Sequence, residues 1–152
     1  MSLTKKHPTT LPALNVQRPW AMHIVSGKKS IETRTYPLPR SYIHRPILLI
    51  ETPGSVKRAP SRIIGVVIFG EPFQYRDKES FDNDQLKHLV KPGDDFYWTS
   101  KSKKWGWPVV KRLTYSYAVP TAARRGIVYT REVPVPMPLR NLLKTFCTSD
   151  QK

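Results

Sequence analysis

One cysteine, four histidines and eleven acidic residues are few for a chain of 152 residues, and each scarcity excludes something. A single Cys147 closes no internal disulfide, which removes the stapled secreted scaffold. His7, His23, His44 and His88 are scattered, with no Cys/His spacing that would gather ligands round a structural zinc, so no metal is expected. The longest apolar run, Ile63 to Phe69, falls far short of the roughly 20 residues of a membrane span. The basic, proline-containing N-terminus lacks the apolar region of a signal peptide. No phosphate-cradling glycine loop and no nucleophile elbow is present. These absences lead us to expect a cytoplasmic protein with no membrane partner and no cofactor.

What the chain has in excess is positive charge: 26 Lys plus Arg, for a net +15. The excess is uneven. Between positions 71 and 95, seven acidic residues face four basic ones, a net of −3, which leaves 22 basic and four acidic residues, +18, on the rest of the chain. A field of that sign attracts phosphate polyanions, so nucleic acid, RNA foremost, is the expected partner class.

Residues 1–13 have no periodic apolar pattern and read as a flexible tail, followed by a domain over 14–136 and a C-terminal helix and tail over 137–152. A short helix is expected from 19 to 26, opened by Pro19, pairing Trp20 with Ile24 and stopped by Gly27. Strands are expected at Ser30–Tyr36, Ile47–Thr52, Arg62–Glu71, Asp95–Thr99, Val109–Val119 and Gly126–Val133, with prolines in the intervals where a missing amide costs no ladder bond. Helices are expected over Asp82–Val90, with Leu86 and Leu89 or Val90 on its apolar face, and from Pro138, where Leu139, Leu142, Leu143 and Phe146 recur at helical spacing. The result is a mainly β (α+β) domain, an antiparallel barrel with two or three short flanking helices.

In an extended segment from 30 to 36, Ser30, Glu32, Arg34 and Tyr36 share one face, and Lys29 stands at the helix-to-strand corner beside them. The run Gln17-Arg18-Pro19-Trp20-Ala21, then Ile24, then Gly27, Lys29, Glu32 and Arg34, resembles the signature of the ASCH domain, a member of the PUA-like superfamily. That signature is a Q-P-W-A-like helix followed by G-x-K-x-x-E-x-R; all four positions of the second part match, and Arg18 interrupts the Gln-Pro step of the first. The similarity continues through ILLIET and RIIGVVIFGE into WGWPVVKRL, roughly residues 14 to 133.

The resemblance implies a small PUA-like barrel with a cleft between its first helix and the barrel, lined by the G-x-K-x-x-E-x-R residues and binding RNA or a nucleotide. Members of that family include domains of transcription coactivators, bacterial ribonucleases and small amidohydrolases of N4-acetylcytidine. The amidohydrolases place a threonine nucleophile where this chain has Glu32, and a carboxylate does not replace it in that role. Glu32 is left as a general base or as an acceptor for a base edge.

Tyr97, Trp98, Trp105, Trp107, Tyr115 and Tyr117 interleave with Lys101, Lys103, Lys104, Lys111 and Arg112, the composition of a surface where bases stack and cations hold the backbone. Within it the segment KSKKWGW reads as a loop offering Lys103, Lys104, Trp105 and Trp107, and Arg124-Arg125 as a possible phosphate contact. The expected nucleic-acid site is therefore Trp20, Lys29, Glu32, Arg34 and Tyr36 with that loop. An enzyme of nucleotide chemistry, a ribonuclease or a modified-nucleoside amidohydrolase using Lys29 and Glu32 for proton transfer, is the alternative. A basic surface meeting an acidic protein is the third reading.

Overall fold

Ile47-Leu48-Leu49-Ile50 shows no polar alternation, because both faces of its strand are covered. In the computed structural model, which describes residues 10–53, 60–120 and 129–148, Ile47 and Leu49 of β3 (Ile47–Thr52) enter one apolar cluster and Leu48 and Ile50 enter another. Around β3 lie β1 (Thr10–Gln17), β2 (Ile31–Arg34), β4 (Arg62–Phe69), β5 (Phe73–Gln74), β6 (Trp105–Pro120) and β7 (Tyr129–Pro134), in the order β2-β6-β4-β3-β1-β7, with β5 beside β6. The architecture is α+β, as the residue pattern implies. β1 and β3 run parallel, unlike the other pairs, and the ladder is not closed among the described residues. A side chain spans the gap: Arg34 Nη2, on end strand β2, donates to the Asn15 carbonyl on β1 at 3.2 Å.

α1 (Trp20–Val25) follows a cis Arg18–Pro19 bond and buries Ala21, Ile24 and Val25 in the first cluster. α4 (Met137–Thr148) covers the second with Leu139 and Leu143. A third, smaller cluster joins Phe81 of α2 (Lys78–Asn83) to Tyr75, just after β5, and Val90, just after α3 (Gln85–His88), and meets Trp20, Phe73, Tyr97 and Trp98. β6 joins these parts. Its first residues pair with β2 and β5, and the remainder with β4 across two register shifts that let one strand serve both directions.

Several expectations are corrected. Thr10–Ala13 belongs to β1, paired with β3 and β7, so the tail cannot reach 13; residues 1–9 lie outside the described residues. The strand expected over Ser30–Tyr36 contracts to Ile31–Arg34. The helix expected over Asp82–Val90 is two helices starting earlier, because Asp77 accepts from the Ser80 amide at 2.8 Å while Ser80 Oγ accepts from the Asp77 amide. Leu86 is 88% exposed, and Phe81, His88 and, as expected, Val90 are the buried side chains there. Asp95–Thr99 forms no strand: Tyr97 and Trp98 pack on Phe81, and Tyr97 Oη donates to Asp82 at 2.5 Å. KSKKWGW is not a loop throughout, since Trp105, Gly106 and Trp107 open β6. Phe73 packs on Gly106 so closely that a Cβ there would sit 2.5 Å from the ring.

Candidate nucleic-acid site

The turn after α1 delivers the site. Gly27 takes φ +83°, and the Lys29 amide donates to the His23 carbonyl at 2.8 Å, which reverses the chain into β2. Lys29, only 2% exposed, points its ammonium inward: Nζ donates to the His88 carbonyl at the end of α3, stands 3.7 Å from Glu32 Oε2 and lies 5.0 Å from the centre of the Trp20 ring. Glu32 Oε1 accepts from Arg34 Nε at 2.8 Å, as strand alternation requires of residues two apart. The Arg34 guanidinium in turn stacks 5.7 Å over Trp107. Lys29, Glu32 and Arg34 are thus brought together, with Trp20 at one side.

A third cation joins them. Lys104 is buried, donates to the Phe96 carbonyl at 2.6 Å and lies 5.8 Å over Phe81, near enough to Glu32 for their charges to interact. Burial lowers the pKa of Lys29; Glu32 opposes that effect, while Arg34 and Lys104 add to it. Lys104 is also lowered by burial, against Glu32. Three cations surround one carboxylate in a sheltered setting.

His88 completes the support from below. Val90 donates its amide to Nδ1 at 3.0 Å, which leaves the ring proton on Nε2 to donate to the Phe81 carbonyl at 2.8 Å. Burial and the charge of Lys29 hold the imidazole below its ordinary range, against the Phe81 hydrogen bond. His23, on α1, stands edge-on to Trp20 and is lowered by burial, Lys28 and Lys29.

The aromatic loop fares differently. Trp107 is fully buried between Tyr36 and Phe69 at 5.7 and 5.6 Å, with Nε1 donating to the Tyr36 carbonyl, so it has no face for a base. Trp105 is half-buried against the first cluster, and Lys104 uses its ammonium inside the fold. Of the four loop residues only Lys103 is exposed. Tyr36 is half-buried and packs on the first cluster. Arg124-Arg125 lie outside the described residues. Sequence reasoning missed the carbonyls of His88 and Asn15, which hold Lys29 and Arg34, because a backbone acceptor leaves no residue signal.

Similar solved structures include two of an ASCH protein from Zymomonas mobilis. One, a point mutant, has TM-score 0.62 and 16% identity over 91% of this chain and 98% of that one. The other has TM-score 0.63 and 16% identity over 88% and 93%. At that identity the likeness concerns the fold alone. Comparison with curated protein sequences finds no match. No helix among the described residues is long and apolar enough to cross a membrane. The model of the ASCH domain matches residues 14–119, which includes α1, the Gly27–Arg34 corner and most of β6, and the chain therefore belongs to the ASCH domain family, generally RNA-associated and within the PUA-like superfamily.

Proposed function

We propose that this protein is an RNA-binding module whose nucleotide pocket centres on Lys29, Glu32 and Arg34. One observation carries the reading: Lys29, Arg34 and Lys104 surround the single carboxylate of Glu32, and a buried surplus of positive charge costs several kcal/mol per uncompensated ion unless an anion offsets it. A nucleotide phosphate offers that charge. Lys29 and Arg34 supply donors, Glu32 an acceptor that distinguishes one base edge from another, and Trp20 the neighbouring ring for stacking. Titrating labelled single-stranded RNA and mononucleotides into the wild type, Lys29→Ala and Arg34→Ala tests it. Each variant loses at least tenfold in affinity while remaining folded; unchanged affinity in both removes the pocket.

A second reading, hydrolysis of a nucleotide or modified nucleoside with Lys29 and Glu32 as a proton-transfer pair, is supported by the burial of Lys29 beside that carboxylate. Burial brings the Lys29 ammonium closer to deprotonation, so more of it than of an exposed lysine is the neutral amine that can take a proton. In that case turnover rises with pH as Lys29 loses its proton, and a panel of RNAs and acylated nucleosides that yields no product rejects it.

A further inference from the structure

Beside the Gly27 turn, and not lined by Lys29, Glu32 or Arg34, lies an open groove of about 550 Å³ between the end of α1 and β6. Its walls are Val25 and Ser26 on one side and Val110, Lys111, Arg112 and Thr114 on the other, with the Lys111 ammonium donating to the Phe146 carbonyl at 3.0 Å. β6 runs here against the chain direction of residues 30 to 25. The Val109 amide donates to the Ser30 carbonyl at 2.9 Å, Arg112 lies over Gly27, and Thr114 Oγ1 donates to the Val25 carbonyl at 3.0 Å. The groove therefore borders the turn that carries Lys29, whose Cα is two residues beyond Gly27 and so within about 7 Å of it along the backbone.

The charge of this groove is positive, although a helix C-terminus points into it. The carbonyls of Met22, His23, Ile24 and Val25 all accept hydrogen bonds, from the amides of Ser26, Lys29 and Gly27 and from Thr114 Oγ1. The exposed guanidinium of Arg112 then dominates, with exposed Lys28 next to Gly27. Gly27 has a second role here besides its positive φ. A Cβ at that position would come within 2.3 Å of Arg112 Nη2, so glycine lets the guanidinium lie flat against the turn. The volume is within the range of small-ligand sites, and the lining mixes two cations, Lys111 and the planar Arg112, with two hydroxyls and two valines.

Resting on the pocket reading above, we propose that this groove holds the phosphodiester, and the nucleotide attached to it, next in the strand to the one in the Lys29 pocket, with Arg112 as its principal phosphate contact. The occupant is single-stranded RNA backbone, because the groove is open and the exposed, planar Arg112 guanidinium suits the oxygens of a phosphodiester.

Fluorescence anisotropy with a labelled single-stranded octanucleotide and with a mononucleotide, over a potassium chloride series, tests the assignment on the full chain. Arg112 is exposed, so Arg112→Gln folds, and melting temperature checks this. Arg112→Gln weakens octanucleotide binding about five- to tenfold and reduces the log–log salt slope by about 0.7, one phosphate's share on a single strand, while mononucleotide affinity is unchanged. Arg112→Lys recovers part of the loss. Lys91→Gln, which removes an exposed charge that does not line the groove, changes octanucleotide affinity less than Arg112→Gln does. Equal effects of Arg112→Gln and Lys91→Gln, or a normal octanucleotide affinity for Arg112→Gln, overturn the groove assignment. The pocket reading stands in either case if Lys29→Ala and Arg34→Ala still lose the mononucleotide, and it fails with the groove if the wild type binds neither probe at low salt.

Discussion

Glu32→Gln separates a charge from a shape at the centre of the site. The carboxylate receives Arg34 Nε at 2.8 Å and faces Lys29 Nζ at 3.7 Å, with its side chain only 7% exposed. At an effective dielectric near 20, those contacts carry about 6 and 4.5 kcal/mol of gross attraction, much of it offset by desolvation. Glutamine keeps nearly the same volume and an acceptor for Arg34, so the variant loses mainly the charge, and Lys29, Arg34 and Lys104 then lack their shared counter-ion. Breaking a buried pair in this way costs about 3–5 kcal/mol. For a chain of this length, at about 2–4 °C per kcal/mol, the melting temperature drops by roughly 6–20 °C. Thermal unfolding at pH 7.5 in a low-anion buffer measures it, and RNA titration below the lowered melting point gives the second readout. If only net charge governs binding, the variant binds more tightly; if Glu32 reads a base edge, it loses discrimination among bases. A melting temperature within about 2 °C of wild type, together with tighter binding at unchanged base preference, refutes the pocket and leaves Glu32 as an ordinary ion-pair partner.

Trp107→Ala empties a fully buried site and costs about 3–5 kcal/mol of stability, read as a shift in the urea midpoint, whereas half-buried Trp105→Ala costs less; equal losses would contradict the burial described. Because burial holds His88 below its ordinary value of 6.5, the unfolded chain binds the additional proton. Stability is therefore complete above about pH 6.5 and falls as the pH drops through that value, so the urea midpoint is lower at pH 5.5 than at pH 7.5, and His88→Gln flattens the difference. His23, lowered in the same way, accounts for part of the residual slope. RNA affinity of the wild type falls with salt at a log–log slope near −3.5 if about five phosphates are neutralised on a single strand; a flat dependence contradicts the polyanion reading.

The fold was most legible where local pattern and burial agree. Ile47–Thr52 is found at its expected bounds, and the α1 turn stops at Gly27. The spacing of Lys29, Glu32 and Arg34 foretold their meeting, since a corner followed by strand alternation leaves little choice of geometry. Trp105 and Trp107 misled for a physical reason. Flanking glycine and lysines made them look like loop residues, but Gly106 is there so that Phe73 can pack on it, and that contact draws the segment into β6 and Trp107 into the core. Leu86 misled in the opposite direction, being apolar yet exposed, because the segment breaks at Asp84 and α3 starts afresh at Gln85 with His88 on its buried side. The parallel pairing of β1 with β3 was not legible at all: it depends on contacts between segments more than thirty residues apart, as in Ala13 opposite Leu48.

The acidic segment gains a role from the structure that its charge did not suggest. It folds as the α2–α3 lobe beside the site, where its carboxylates could have neutralised the surplus cations. They are directed elsewhere: Asp82 engages Lys78 and Tyr97, and Asp84 engages Tyr75 and Lys87. What the lobe gives the site is the neutral carbonyl of His88, which fixes the Lys29 ammonium without cancelling its charge. A carboxylate at that position would bring the local balance closer to neutral and weaken the attraction for phosphate, whereas a carbonyl positions the cation and leaves its field intact. The same lobe buries His88 as a neutral ring whose protonation would break the Val90 hydrogen bond and add a fourth positive charge next to Lys29. Holding the lobe folded and holding Lys29 in place are thus one requirement, and it links the stability of α3 to the geometry of the pocket.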